Sequence, residues 1–214
     1  MTVAIDGPAG AGKSTVAKNI ARRFGLFYLN SGNFYRAITL FVLTEGYDPS
    51  DENDVVKAAG ICEISIKSGQ LYLNGKNVEN LLHTDRIDNW VAEHSAIIEV
   101  RKIVNEQIRR ATSGMDVIAE GRDMTTVVFP SADVKFYLDA SIDARVGRRD
   151  NQGTSRKNEE GIRENLEKRD HIDKNKPFGS LKIAEDAVYL DTTDLTIEAV
   201  CERVQEKIEQ LREQ

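Results

Sequence analysis

The chain has 214 residues, of which 40% are apolar and 30% charged, and a formal net charge of −6. That composition suits one soluble domain with a single sizeable core, too apolar for a disordered chain and too charged for a membrane protein. With 35 acidic against 29 basic side chains it is not a general binder of nucleic-acid polymers, which needs a basic surface to displace counterions.

No apolar run nears the roughly eighteen residues of a spanning helix, so no membrane association is expected. Met1–Asp6 lacks the basic flank and long apolar stretch of a secretory signal, and a cytoplasmic protein is expected. Cys62 and Cys201 belong to no metal-ligand spacing; two buried, reduced thiols are the expectation.

In chain order, Thr2–Asp6 reads as a short strand entering a glycine loop, and Lys13–Phe24 as a helix with Val16, Ala17, Ile20 and Phe24 on one face and Gly25 as its stop. Leu26–Leu29 is a second strand and Asn33–Thr44 a second helix, followed by a short helix over 52–60. Alternation over Ile61–Lys67 and the Asn74-Gly75 pair after Gln70–Leu73 predict a small antiparallel insert. Thr84–Ala111 reads as one long, bent amphipathic helical stretch. Val117–Ala119 and Val134–Leu138 are continuous apolar runs of the kind used by a sheet buried on both faces. Residues 142–176 are helical and very polar, Ala187–Leu190 is a last strand, and Thr196–Leu211 a closing helix. The alternation predicts an α/β fold, a mostly parallel sheet covered by helices.

The strongest motif is Gly7-Pro8-Ala9-Gly10-Ala11-Gly12-Lys13-Ser14, which fits G-x-x-x-x-G-K-[ST] between a strand and a helix. Glycines let successive backbone N–H groups turn inward around a phosphate, and the helix N-terminus adds its positive dipole end. Lys13 is positioned for the β- and γ-phosphates, and the Ser14 hydroxyl for Mg²⁺. A glycine-rich turn of purely structural origin does not explain Lys-Ser at that place, so the chain binds a nucleoside triphosphate. Asn175-Lys-Pro-Phe178 lacks the aspartate of a guanine-reading run. Val117–Glu120 resembles an acidic Walker B strand, but Gly121, Arg122 and Asp123 follow it at once and suggest a second anion.

Arginine suits a bidentate grip on phosphate. Candidate anion-binding runs are Asn30–Arg36, Glu120–Asp123 and Lys168–Asp173. The first two follow strands and would sit at the sheet edge where ligands collect. The bland alternatives are a helix-face salt bridge for Arg36 and an i,i+4 ion pair for Arg169 and Asp173. Arg145, Arg148 and Arg149 share roughly one helical side. Arg148 and Arg149 read as charge-stabilising arginines of a mobile flap, whereas Arg156, Lys157 and Arg163 read as a solvated face. Trp90 reads as packing, and His94 and His171 as surface or capping residues.

Gly7–Thr15, Ser31–Arg36, Glu120–Pro130, Leu138–Ser141, Arg169–Asp173 and Leu190–Thr192 occur in the order seen in bacterial cytidylate (CMP) kinases, which the chain resembles over essentially its whole length. The resemblance implies transfer of the γ-phosphoryl of ATP to CMP or dCMP, with Mg²⁺, on a P-loop nucleoside-monophosphate-kinase fold. In that fold one kinase domain, residues 1–214, carries an NMP-binding insert (about 61–83) and a lid (about 148–168). It further implies that Gly7–Thr15 bind ATP. Ser31, Arg36 and Arg122 would surround the acceptor phosphate, Arg101 and Asp123 would read the cytosine edge, and Tyr35 would be a further CMP contact. Asp173 would contact the ribose, Arg169 would lie near the phosphates, Lys176 would bind CMP where the family has an arginine, and Lys13, Arg148 and Arg169 would be catalytic. Cytosine's amino group donates to a carboxylate, whereas UMP would leave Asp123 without a donor. Asn30, His83, Ala92 and Lys176 depart from the residues usual in the family.

The expected reaction is an in-line transfer without a covalent enzyme intermediate, in which Asp6 and Glu120 hold Mg²⁺-bound waters. A monomer with small nucleotides as its only partners is expected. The rivals are a kinase for another nucleoside monophosphate or a metabolite such as shikimate, and a regulatory module that binds ATP without transferring phosphate. The charge divides unevenly: residues 1–144 carry 15 basic and 19 acidic side chains, 145–176 carry 10 and 7, and 177–214 carry 4 and 9. The one net-positive block is the expected lid, so an acidic protein can still focus positive potential on a small polyanion.

Overall fold

The computed structural model describes residues 1–67, 69–151 and 158–212. They form two compact units. One comprises Met1–Asn30, Gly114–Asn175 and Gly179–Gln214, the other Ser31–Ser113 with Lys176–Phe178.

In the first unit, β1 (Thr2–Asp6) leads through the glycine loop into α1 (Lys13–Phe24) and β2 (Phe27–Asn30). Leu26 lies outside β2, and its N–H bonds the Ala21 carbonyl at the end of α1. In the second unit α2 (Ser31–Thr44) starts two residues before Asn33, so Ser31 lies in its first turn, and α3 (Glu52–Ile61) follows. There β3 (Ile64–Lys67), β4 (Gln70–Leu73) and β5 (Lys76–Asn77) form an antiparallel sheet in the order β3-β4-β5. Asn74 (φ 47) and Gly75 (φ 77) supply the two positive φ angles of a tight hairpin between β4 and β5.

The stretch 84–111 is three helices rather than one bent helix: α4 (Asp85–Asp88), α5 (Val91–His94) and α6 (Ile98–Ala111). Ile97 is extended (ψ 122) and breaks the run, and the Ser95 carbonyl accepts from Arg101 Nη1 at 2.8 Å. Amphipathic periodicity survives such a break, because a side chain that captures a carbonyl leaves no trace in the apolar pattern.

The chain returns to the first unit with β6 (Val117–Gly121), a π-turn over Met124–Val128, β7 (Val134–Asp139), α7 (Ile142–Asn151), α8 (Glu159–Asn175), β8 (Val188–Asp191) and α9 (Ile197–Arg212). Of the expected lid, residues 152–157, with Arg156 and Lys157, lie outside the described residues. The five strands are parallel, in the order β2-β6-β1-β7-β8. Alternate residues Val3 and Ile5, with Ile118, Phe136 and Leu138, meet Val16 and Ile20 of α1 and Val200, Val204 and Ile208 of α9 in one core. Burying each such side chain contributes about 1.5–3 kcal/mol. Ala9, Val146, Ile162 and Leu166 form a smaller core that seats α7 and α8 beside the glycine loop.

Both cysteines are free and buried. Among the described residues no helix is long and apolar enough to cross a membrane. His94, expected at the surface or as a cap, is 1% exposed and stacks on half-buried Trp90.

Candidate active site

The loop from Gly7 to Gly12 leaves the C-terminal end of the central strand, the edge of a parallel sheet where ligands gather. Gly7 (φ 150) passes so close to β7 that a Cβ there would lie 1.9 Å from the Leu138 carbonyl oxygen. Gly12 starts α1 in the left-handed region (φ 91), with no side chain capping the helix. The first-turn N–H groups are thus left for an anion, which the helix dipole favours.

Lys13 is buried, and its Nζ donates to the Pro8 carbonyl at 2.7 Å. Burial, with the nearby Arg122 cation, lowers its pKa to about 7, against the upward pull of Glu120, Asp6 and Asp173. Those five charged groups therefore share one electrostatic neighbourhood in the first unit. Glu120, at the end of β6, accepts from the Tyr28 hydroxyl (2.9 Å) and from Asn30 Nδ2 (2.8 Å). Ser14 also hydrogen-bonds the Tyr28 hydroxyl, whose own ionisation is pushed up by burial and by Glu120. Asn30 thus supplies a donor to the carboxylate on the neighbouring strand, opposite which it lies in register.

Asp6 accepts from the Met124 and Thr125 N–H groups (2.9 and 2.8 Å) and from the Thr125 hydroxyl (2.6 Å). Burial raises its pKa to about 6 although those three donors pull it down. It staples the π-turn to β1 and fixes the direction in which Arg122 and Asp123 leave β6. Arg122 Nε donates to Asp173 Oδ2 on α8 at 2.6 Å, an ion pair between residues 51 positions apart; Arg169, one turn before Asp173, is half-buried.

Three arginines in and just before the expected lid, Arg145, Arg148 and Arg163, are anchored. Arg145 is buried, donates to the carbonyls of Ala140 (3.0 Å) and Ala9 (3.2 Å), and pairs with Asp170 at 2.7 Å. Arg148 donates to the Thr192 hydroxyl at 3.0 Å and to the Thr192 carbonyl. Arg163 pairs with Asp143 at 2.5 Å on the surface. Sequence reasoning grouped Arg145 with Arg148 and Arg149 by their i, i+3, i+4 spacing, passed over Tyr28, and gave Thr192 no role beyond its place in the Leu190–Thr192 run.

In the second unit, Ser31, Tyr35 and Arg36 lie on the first turns of α2, all buried. The Arg101 guanidinium lies over the Tyr35 ring, 5.3 Å from its centroid. Arg36 donates to the Leu82 carbonyl (2.9 Å) and to Asp88 (2.5 Å), so it is ion-paired, with a carboxylate 52 residues away. Lys176 is buried and belongs to this unit, whereas Asp123 is buried in the first.

Among the described residues no cluster of three or more metal-ligating side chains exists. The Ser14 hydroxyl linked through Tyr28 to Glu120 is a hard-oxygen set of the kind that fits Mg²⁺, which takes one or two protein oxygens and completes its shell with phosphates and water.

A parallel sheet with a phosphate loop at its central strand, a buried lysine in that loop and arginines around it define a P-loop kinase. The shikimate kinase of Acinetobacter baumannii, solved with shikimate, shares this fold at a TM-score of 0.51 and 15% identity, over 97% of this chain and 92% of that one. Residues 3–210 match the cytidylate kinase family. The cytidylate kinase of Caldanaerobacter subterraneus subsp. tengcongensis is 44% identical over 96% of this chain and 93% of its own. That of Borrelia turicatae is 42% identical over 94% and 93%. The chain belongs to the cytidylate kinase family.

Proposed function

We propose that the chain transfers the γ-phosphoryl group of ATP to CMP and dCMP, giving ADP and CDP or dCDP. The observation that carries this reading is the family match over residues 3–210. A phosphate oxygen of the acceptor attacks the γ-phosphorus in line, and the bond to the β–γ bridging oxygen breaks as ADP leaves. Such a transfer needs positioning and charge neutralisation more than a nucleophile on the protein.

On the donor side, the backbone N–H groups that Gly7–Thr15 carry outside Pro8, with the Lys13 ammonium, receive the phosphates, Lys13 exchanging the Pro8 carbonyl for them. Ser14, with Glu120 and Asp6 acting through water, would hold Mg²⁺, which when bound would supply charge neutralisation to the phosphates. On the acceptor side the proposed ligands are Ser31, Tyr35, Arg36, Arg101 and Lys176 of the second unit and Arg122, Asp123, Arg169 and Asp173 of the first. Lys13, Arg148 and Arg169 balance the charge of the group in transfer. We assign residues 61–83 to the acceptor-binding insert and 148–168 to the lid. The protein is read as a cytoplasmic monomer; its buried free thiols suit a reducing compartment.

Turnover with ATP and Mg²⁺ over CMP, dCMP, UMP, AMP, GMP and shikimate tests the substrate assignment. Faster turnover of any acceptor outside the cytidine pair would overturn it. Arg122→Ala should lower kcat/KM for CMP by at least about a hundredfold while ATP still binds; unchanged CMP turnover refutes the acceptor assignment.

A further inference from the structure

Arg36 is among the more deeply buried cations of the second unit, and it is not waiting empty-handed. Its side chain is 7% exposed, and the carboxylate that pairs with it, on Asp88, is 18% exposed. Asp88 is the last residue of the four-residue helix α4, held in place from both sides. Leu82 (0% exposed) and Ile87 (1%) are buried, and the Thr84 side chain accepts from the Ile87 N–H. The segment from Leu82 to the end of α4 delivers the Leu82 carbonyl and the Asp88 carboxylate to two nitrogens of one guanidinium.

We propose that Asp88 is the resident counter-ion of Arg36, whose place the phosphate of the acceptor nucleotide takes, so that Asp88 sets the affinity for the acceptor phosphate. This rests on the acceptor-phosphate role proposed above for Arg36. A buried guanidinium without a counter-charge is costly, and Asp88 removes that cost while the site is empty. A phosphate dianion and a carboxylate are alternative acceptors for the same planar fork. Held together beside Arg36 they repel one another. Of the pair, the carboxylate is the half nearer solvent, so an incoming anion can reach the guanidinium by displacing it. Part of the phosphate's attraction is therefore offset by the loss of the Arg36–Asp88 pair. A nucleoside without phosphate offers nothing in exchange for that pair and leaves it intact.

The alternative, that Asp88 merely orients Arg36, makes the opposite prediction. Asp88→Asn keeps an oxygen to accept from the guanidinium and removes only the charge. The counter-ion role predicts that this variant binds CMP more tightly, by about tenfold in Kd measured calorimetrically without ATP, because phosphate no longer competes with a carboxylate. Cytidine binding should not change, and inorganic phosphate should compete with CMP more strongly than in the parent. The ligand-free variant should melt at a lower temperature, and its Tm should rise further on adding CMP than the parent's does. Asp88→Ser, smaller and also neutral, should tighten CMP binding in the same sense and serves if the asparagine variant folds poorly.

Unchanged or weaker CMP binding in these neutral variants, or an equal gain for cytidine, overturns the counter-ion role. A separate control isolates the premise. If Arg36→Gln leaves CMP affinity at the parent value, the acceptor-site assignment itself fails. If Arg36→Gln loses CMP while the Asp88 variants gain nothing, only the counter-ion inference fails.

Discussion

His94 has no ligand-like spacing in the sequence, yet the fold occupies both its ring nitrogens. The Pro49 carbonyl at 3.0 Å can only accept, so Nε2 carries the proton and Nδ1 accepts from the Thr39 hydroxyl, also at 3.0 Å. Burial lowers the pKa of this ring below its ordinary value, and the native state holds it neutral. A group with a depressed folded pKa contributes stability that is present above its unfolded value of about 6.5 and is lost as pH falls from there through the folded pKa. Tm should therefore drop more steeply between pH 7.5 and 5.5 in the parent than in His94→Gln, which has no proton to take up; equal slopes would refute the assignment. The same scale shows which site residues the sequence discloses. Lys13 and Ser14 are legible because their chemistry is tied to neighbours a few positions away. Asp88, Tyr28 and Thr192 are not, because their partners Arg36, Glu120 and Ala11 lie 52, 92 and 181 residues distant. An aspartate at the end of one helical turn looks like any solvated charge until the chain folds.

Among the elements, those whose pattern is set by burial on a sheet are read almost to the residue. α1 spans Lys13–Phe24 as its apolar face and Gly25 predict, and the five parallel strands fall within two residues of the predicted runs. Failures cluster where side chains intervene in the backbone. α2 begins at Ser31, two residues before the start at Asn33 that the sequence predicts, and Arg101 takes the carbonyl that would otherwise continue a helix past Ser95. The phosphate loop is an element of the opposite kind, in which the absence of side chains is the requirement. Gly7→Ala would drive a methyl into a backbone carbonyl of β7, which cannot swing aside as a side chain can. The variant should lose ATP binding and at least about 3 kcal/mol of stability in urea unfolding. Retention of both would mean that β7 and the loop are not packed as described.

At the scale of the molecule, the net charge of −6 and the positive block at 145–176 are reconciled by anchoring. Arg145 and Arg148 are fastened to carbonyls, a hydroxyl and a carboxylate of the first unit, so the positive potential there has a fixed direction rather than a solvated, averaged one. Composition reveals the block's sign; only the fold reveals its orientation. One side chain in that arrangement has a wider reach. The Thr192 hydroxyl shares its one proton between the carbonyls of Asp139 (2.9 Å) and Ala11 (3.2 Å) and accepts from Arg148 (3.0 Å). A single oxygen thereby joins the phosphate loop, the end of β7, the turn after β8 and α7. Segments joined in that way should open to solvent together, as one cooperative unit of amide hydrogen exchange. In the parent, the amides of residues 9–13, 144–148 and 192–196 should exchange with one common opening free energy. In Thr192→Val, which keeps the shape and removes the hydroxyl, they should separate into independent, faster rates while the core of α1 and α9 keeps its protection. If the three segments already exchange independently in the parent, the hydroxyl is not the joint. If they do exchange together, the nucleotide-binding loop has no local fluctuation of its own, and deuterium entering it reports on α7 and the turn after β8 as much as on the loop itself.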